Sequence, residues 1–234
     1  MKRARRSGSG GVWRTVGGRA ATAALALAVV GLAGCQQQSR IGDHAATAPI
    51  NLFDGQSLDG WVQRGGDAVY RAKDGAIVGE TRPNTPNTFL CTTREFADFR
   101  LELEFMVDDE LNSGVQFRSG VRPEAGRDRV YGYQAEIDPS PRAFSAGVYE
   151  EAGRGWLQDL SANPAAQAAF RPLAWNTMVV ECRGSRLQTS LNGVPATDLN
   201  DSNSASGFIA LQVHDVGTRQ SPLRVRWRNI RLFP

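Results

Sequence analysis

The sequence predicts an all-β protein, a jelly-roll sandwich of two antiparallel sheets. Three observations carry that prediction. Short runs alternate apolar and polar residues with period two, Gly, Pro, Asn and Asp interrupt them at short and fairly regular spacing, and helical periodicity is scarce. A sheet that buries one face of each strand needs a second sheet to cover it, and a sandwich leaves the opposite face for water or ligand.

The elements follow in order. In RLELEF, residues 100–105, Leu101, Leu103 and Phe105 take one face while Glu102 and Glu104 take the other. Residues 115–118 repeat the pattern, as do 132–138, 177–182, 187–191, 208–214 and 223–232. Asn192-Gly193, directly after Leu191, is the dipeptide that a two-residue hairpin turn needs. One short helix is expected over residues 164–170, with Asn163 as its cap, Pro164 at its first position and Pro172 stopping it. No repeat of fixed period appears, which argues against a propeller or solenoid.

With 234 residues the chain has room for one domain plus an appendage. Its pI of about 9.0 does not belong to that domain. Lys2, Arg3, Arg5, Arg6, Arg14 and Arg19 are the only charges before residue 35; without these six, 21 basic residues face 24 acidic ones, a net charge of −3. That excludes the nucleic-acid reading of the pI, because no net attraction to phosphate remains. Residues 20–34, AATAALALAVVGLAG, are uncharged and too few to span a bilayer core, which takes about 20 residues. A basic stretch, a short apolar run and small residues at its end describe a secretory signal over residues 1–34. Leu32-Ala33-Gly34-Cys35 resembles the bacterial lipobox, which implies acylation of Cys35 and a membrane partner through that anchor. Gln36 rather than Asp follows, which by resemblance to sorted lipoproteins favours the periplasmic face of the outer membrane. Residues 35–49 then read as the lipidated Cys and a polar tether, and residues 50–234 as the folded body. Cys91 and Cys182 would reach an oxidising compartment, so a disulfide between them and a pair of buried free thiols are both open.

Several strings match one family in order. They are Asn51-Leu52-Phe53-Asp54-Gly55 with Ser57-Leu58-Asp59-Gly60-Trp61, then Asn112-Ser113-Gly114-Val115-Gln116-Phe117-Arg118, then Tyr131-Gly132-Tyr133-Gln134-Ala135-Glu136-Ile137-Asp138. Ala146-Gly147-Val148-Tyr149, Trp175-Asn176, Leu191-Asn192-Gly193, residues 207–214 and residues 225–230 complete the series. Residues 50–234 thus resemble the bacterial 3-keto-disaccharide hydrolase family. The resemblance implies a concanavalin A-like sandwich and an enzyme that cleaves the glycosidic bond of 3-keto-disaccharides or 3-keto-glycosides, with carbohydrate as the partner. The family's third block usually runs GYE-x-Q; here Gln134 precedes Glu136.

Alternation sorts the polar side chains. Gln134, Glu136 and Asp138 share a face of one run, Gln116 and Arg118 of another, and Gln212 and His214 of a third. Strands prefer Thr and Val, so long polar groups crowded onto three of them point to a ligand-binding face. Tyr149, Trp156 and Trp61 could wall a sugar, with Asn112, Gln116, Gln134 and Gln212 binding its hydroxyls. His214, the only His in the body, is the expected base, with Glu136 as the alternative. For elimination through an enolate, which a ketone at C3 allows, Arg118 or a metal held by the carboxylates is the expected enolate stabiliser and Asp138 or a water the leaving-group acid. Glu136 and Asp138, about 7 Å apart at the backbone, could instead form a glycosidase pair. A divalent metal held by Glu136, Asp138 or His214 is conceivable, but no spacing demands one. The rival reading is a non-catalytic carbohydrate-binding module on the same sandwich.

Overall fold

The computed structural model describes residues 48–220 and 222–234. The expected signal segment, Cys35 and most of the expected tether lie outside the described residues. In chain order the strands are β1 (Ile50–Asn51), β2 (Trp61–Gly65), β3 (Val69–Lys73), β4 (Ala76–Glu80), β5 (Thr88–Phe96), β6 (Phe99–Val107), β7 (Ser113–Glu124) and β8 (Arg127–Ile137). They continue as β9 (Val148–Glu151), β10 (Gly155–Gln158), β11 (Asn176–Arg183), β12 (Arg186–Leu191), β13 (Val194–Asn200), β14 (Gly207–Val213) and β15 (Arg224–Phe233). One helix, α1 (Pro164–Gln167), is shorter than the composition suggests; Asn163 caps it by accepting from the Ala166 N–H.

All strand pairs are antiparallel and form two sheets. The first runs β13-β12-β11-β6-β15-β4-β3, with β1 also on β15; the second runs β10-β9-β8-β7-β14-β5-β2. Neighbours far apart in sequence, such as β6 beside β15, close the sandwich around one core. Strand β6 shows how the pattern becomes packing: Phe99, Leu101, Leu103, Phe105 and Val107 are all buried, and the residues between them face outward. Each such burial contributes roughly 1.5–3 kcal/mol. From the second sheet, Leu90, Val115, Phe117, Tyr133, Ala135, Ile137, Ile209, Leu211 and Val213 join that core.

The other face of the second sheet carries a smaller apolar cluster of Phe89, Cys91, Val130, Phe208 and Ala210. Cys91 therefore lies in this outer cluster, whereas Cys182 points into the core between the sheets. Both thiols are free and buried, and burial pushes each up to about 12. Val130 reaches the cluster because the β7–β8 hairpin bends. Its register shifts between Phe117 and Gly120, where Arg118 has φ +45°, and Gly132 on the facing strand has φ +124°. A Cβ at Gly132 would stand 2.8 Å from the Ser119 Cα, so only glycine fits. The hairpin tip then ties to the β2 side of the sheet through Arg64–Asp128 at 2.7 Å and Arg127–Asp67 at 3.1 Å.

Candidate active site

The bent hairpin and the loop after β8 enclose part of the outer face of the second sheet. A cavity of about 430 Å³ results, lined among others by Asn112, Gln134, Glu136, Tyr149, Gln212 and His214. Strand register lays out its floor. One row runs Trp156, Tyr149, Gln134, Gln116, Ala210; the next runs Glu136, Gly114, Gln212, Phe89. Gly114 is needed here because a Cβ would sit 2.3 Å from the Gln134 Cδ; the Gln134 side chain fills that space.

Glu136 is the focus of the floor. Ser119 Oγ donates to Gln116 Oε1 (2.8 Å), Gln116 Nε2 to Gln134 Oε1 (2.7 Å), and Gln134 Nε2 to Glu136 Oε2 (2.8 Å). Asn112 Nδ2 donates to the other carboxylate oxygen at 2.5 Å. Each amide is oriented by its neighbour, so the chain delivers donors to the carboxylate. Burial nevertheless dominates and holds the Glu136 carboxyl above the ordinary Glu value, while these two donors and Arg142 pull it back. Glu151, on the same side of β9 as Tyr149, is raised for the same reason, and Arg129, Asn87 and His214 moderate it. Arg129 Nη2 stands 3.6 Å from Glu151 Oε1.

His214 follows β14 directly and is partly exposed. Its Nδ1 lies 2.8 Å from the Asp215 carbonyl oxygen. A carbonyl only accepts, so Nδ1 carries the proton in this pair and the neutral ring keeps its lone pair on Nε2. On the opposite wall, Tyr149 and Trp156 meet edge to face at 5.4 Å, and the Arg142 guanidinium covers the Trp156 ring at 5.4 Å. Among the described residues no group of three or more His, Cys, Asp or Glu is placed to hold a metal ion. In two other cavities of similar size, Glu80 is paired with Arg71 and Arg224, and Asp198 with Arg186.

Residues 48–232 match the family model described as the 3-keto-alpha-glucoside-1,2-lyase-like domain. The chain belongs to that family. No curated protein matches it. Among solved structures, a candidate glycosyl hydrolase from Parabacteroides distasonis is 17% identical with a TM-score of 0.55, over 79% of this chain and 93% of its own. The carbohydrate-binding module CBM66 from Bacillus subtilis is 16% identical with a TM-score of 0.55, over 75% and 96%. A Bacillus subtilis protein of unknown function with a galectin-like fold is 13% identical with a TM-score of 0.56, over 81% and 96%. At these identities the likeness is one of fold, and it agrees with the jelly-roll sandwich read from the sequence.

Within this lyase-like domain, the expected site residues divide. Glu136, His214, Gln134, Gln212, Asn112, Tyr149 and Trp156 line the one cavity. Gln116, next in the same row, is fully buried and bonded to Gln134 rather than part of the lining. Arg118 does not belong to the site. The bulge turns it away, and its guanidinium donates to Ala97 O, Gly184 O and Asp98 at the far end of the sandwich. Asp138 is beside the cavity, but its carboxylate is occupied by Arg142 Nε (2.8 Å) and the backbone N–H groups of Ser140 and Phe144 (both 3.2 Å). Burial raises that carboxyl, yet these partners outweigh it and hold it below the ordinary Asp value. Asp138 therefore positions Arg142, and a Glu136–Asp138 glycosidase pair is not available. Trp61 packs in the core and donates Nε1–H to Leu52 O at 2.8 Å. Sequence reasoning missed Asn87, Arg129, Arg142 and Glu151. Period two from Tyr149 would have found Glu151; Arg142 sits in a loop, and the break at Gly132 hides Arg129.

Proposed function

We propose that this domain cleaves 3-keto-glycosides by elimination across C1 and C2 and acts as a lipid-anchored envelope protein. The observation that carries the reading is the pairing, in one open polar cavity, of a buried Glu136 whose carboxyl is raised with a His214 whose Nε2 is free to accept a proton. A ketone at C3 acidifies the C2 hydrogen because the electrons left behind delocalise into an enolate. His214 Nε2 takes that proton. Arg129 supplies positive charge to the enolate oxygen, the role the sequence suggested for Arg118. The enolate then reforms the C3 carbonyl, C1=C2 forms, and the C1–O bond breaks. Glu136 gives its proton to the leaving oxygen, the role expected of Asp138. The products are a free alcohol or sugar and an unsaturated 3-keto sugar; later addition of water would complete a net hydrolysis, and no oxidant is consumed. Tyr149 and Trp156 would flank the ring.

The test offers the same disaccharide with and without the 3-keto group. Cleavage of the keto form alone is expected, with turnover about 10²–10⁴-fold lower in His214→Ala. Equal cleavage of both would remove elimination. Binding without cleavage of either would make the domain a carbohydrate-binding module.

A further inference from the structure

Among the described residues, four buried side-chain atoms have no hydrogen-bond partner: Gln212 Nε2, Gln212 Oε1, Arg129 Nε and Trp227 Nε1. Three of the four belong to residues that line the cavity. Gln116, Gln134 and Asn112 nearby are instead committed to the chain of donors that ends on Glu136. Gln212 is fully buried at the cavity floor, so both polar atoms lose water with nothing in exchange. Such a group in a native site calls for an explanation, and a ligand supplies one. The terminal torsion of a Gln side chain is broad, so its carboxamide can turn toward a ligand at little cost.

The geometry points to Gln212 as the residue that holds the C3 ketone of a bound sugar, with Nε2–H donating to the ketone oxygen and Oε1 accepting from the adjacent hydroxyl. The inference rests on the reading of the cavity as a 3-keto-glycoside site. A carboxamide presents a donor and an acceptor side by side in one plane. An α-hydroxyketone presents the matching acceptor and donor. The ketone oxygen cannot donate, so an acceptor alone cannot hold it, whereas two hydroxyls can satisfy acceptors alone. Placement agrees. Gln212 faces Glu136 across Gly114 in one row, two strand spacings or about 10 Å at the backbone, with the Gln134 side chain lying over Gly114 between them. His214 is two residues further along the same face, about 7 Å at the backbone. The carbonyl-holding group and the base therefore line the same cavity. Arg129 Nε–H is a second buried donor without an acceptor in the lining of the same cavity.

Two substitutions separate this role from a structural one. Gln212→Met keeps the length and removes both polar atoms; Gln212→Glu, when ionised, keeps only acceptors. Ligand-free melting is measured first, then calorimetric binding of a 3-keto-glycoside and its parent in the His214→Ala background, where turnover does not interfere. Gln212→Met is expected to melt about 2–4 °C higher, because a partnerless polar group is gone, while affinity for the keto sugar falls about tenfold or more. Gln212→Glu is expected to lose the keto sugar and keep the parent. Unchanged keto affinity in Gln212→Met, or keto affinity retained in Gln212→Glu, overturns the inference. Gln212-dependent binding by a protein that never cleaves would leave the recognition standing and sink the elimination. Unchanged cleavage and KM in Gln212→Met would do the reverse. A protein that binds neither sugar overturns both.

Discussion

Arg118 is one of the largest side chains sealed inside the domain, and every one of its donor nitrogens is engaged, with Nε 2.8 Å from Ala97 O and Nη2 2.9 Å from Asp98. Its role is to join the β7 bulge to the turns between β5 and β6 and between β11 and β12. Truncation would strand the Ala97 and Gly184 carbonyls, so Arg118→Ala is expected to lose on the order of 3 kcal/mol in denaturant unfolding. Activity per folded molecule should persist, and loss of activity in a protein of undiminished stability would return Arg118 to the chemistry. Arg118→Lys should not restore stability, since a point ammonium cannot reproduce the planar fork. At this scale, period two read correctly wherever the strand is regular: Gln134, Glu136 and Gln212 do share the cavity face. It failed at Arg118 because a non-glycine residue at φ +45° leaves no local sequence signal, and at Asp138 because the chain leaves the strand just before it.

The β7–β8 hairpin is the element that turns an outer sheet face into a cavity. Its bend depends on Gly132, which is paired with Glu151 and pressed against Ser119. The ion pairs at the tip are half exposed and contribute little, about 0–1 kcal/mol each, so the bend is set by the backbone. Gly132→Ala would force a side chain into a positive-φ position with no space, a cost of about 1–3 kcal/mol. The expected outcome is a folded protein, by far-ultraviolet circular dichroism, that loses most of its turnover because Arg129 and Glu151 are displaced. Full activity would show that the bend does not position the wall. Most strands were legible as elements from alternation, and the β12–β13 turn from Asn192-Gly193, whose φ values are +50° and +82°. Which strands lie side by side was not legible. The pairing of β14 with β5 and of β15 with β6 depends on closing one core over long sequence separations, and local patterns do not encode that.

For the whole molecule, both the address and the charge balance bear on behaviour. The lipobox reading of Cys35 predicts that Cys35→Ser moves the protein from the membrane pellet to the soluble fraction; pelleting like the parent would refute the anchor. Stability should follow pH in a direction set by where the carboxylates lie. Arg224 holds Glu80 below its ordinary value, and Arg154 does the same for Glu150 and Asp201. Carboxyls lowered by folding stabilise above their unfolded values and lose that contribution as pH falls through the lower folded ones. Glu136 and Glu151 go the other way, because burial penalises their charged forms before any partner helps. A raised carboxyl contributes fully below its unfolded value of 4.5, and that contribution is lost as pH rises through the higher folded value. The two groups of carboxyls therefore oppose one another on either side of about pH 4–5. Melting temperature is expected to rise as pH is lowered from neutrality toward the unfolded carboxyl value of 4.5 and to fall again in stronger acid. The paired variant Glu136→Gln with Glu151→Gln should lack the first limb and keep the second, since only the cavity carboxyls produce the rise. A parent profile flat between those values, or a variant that keeps the rise, would mean that the cavity does not hold these two acids in their neutral forms. The proton that elimination requires for the leaving oxygen would then have to come from water.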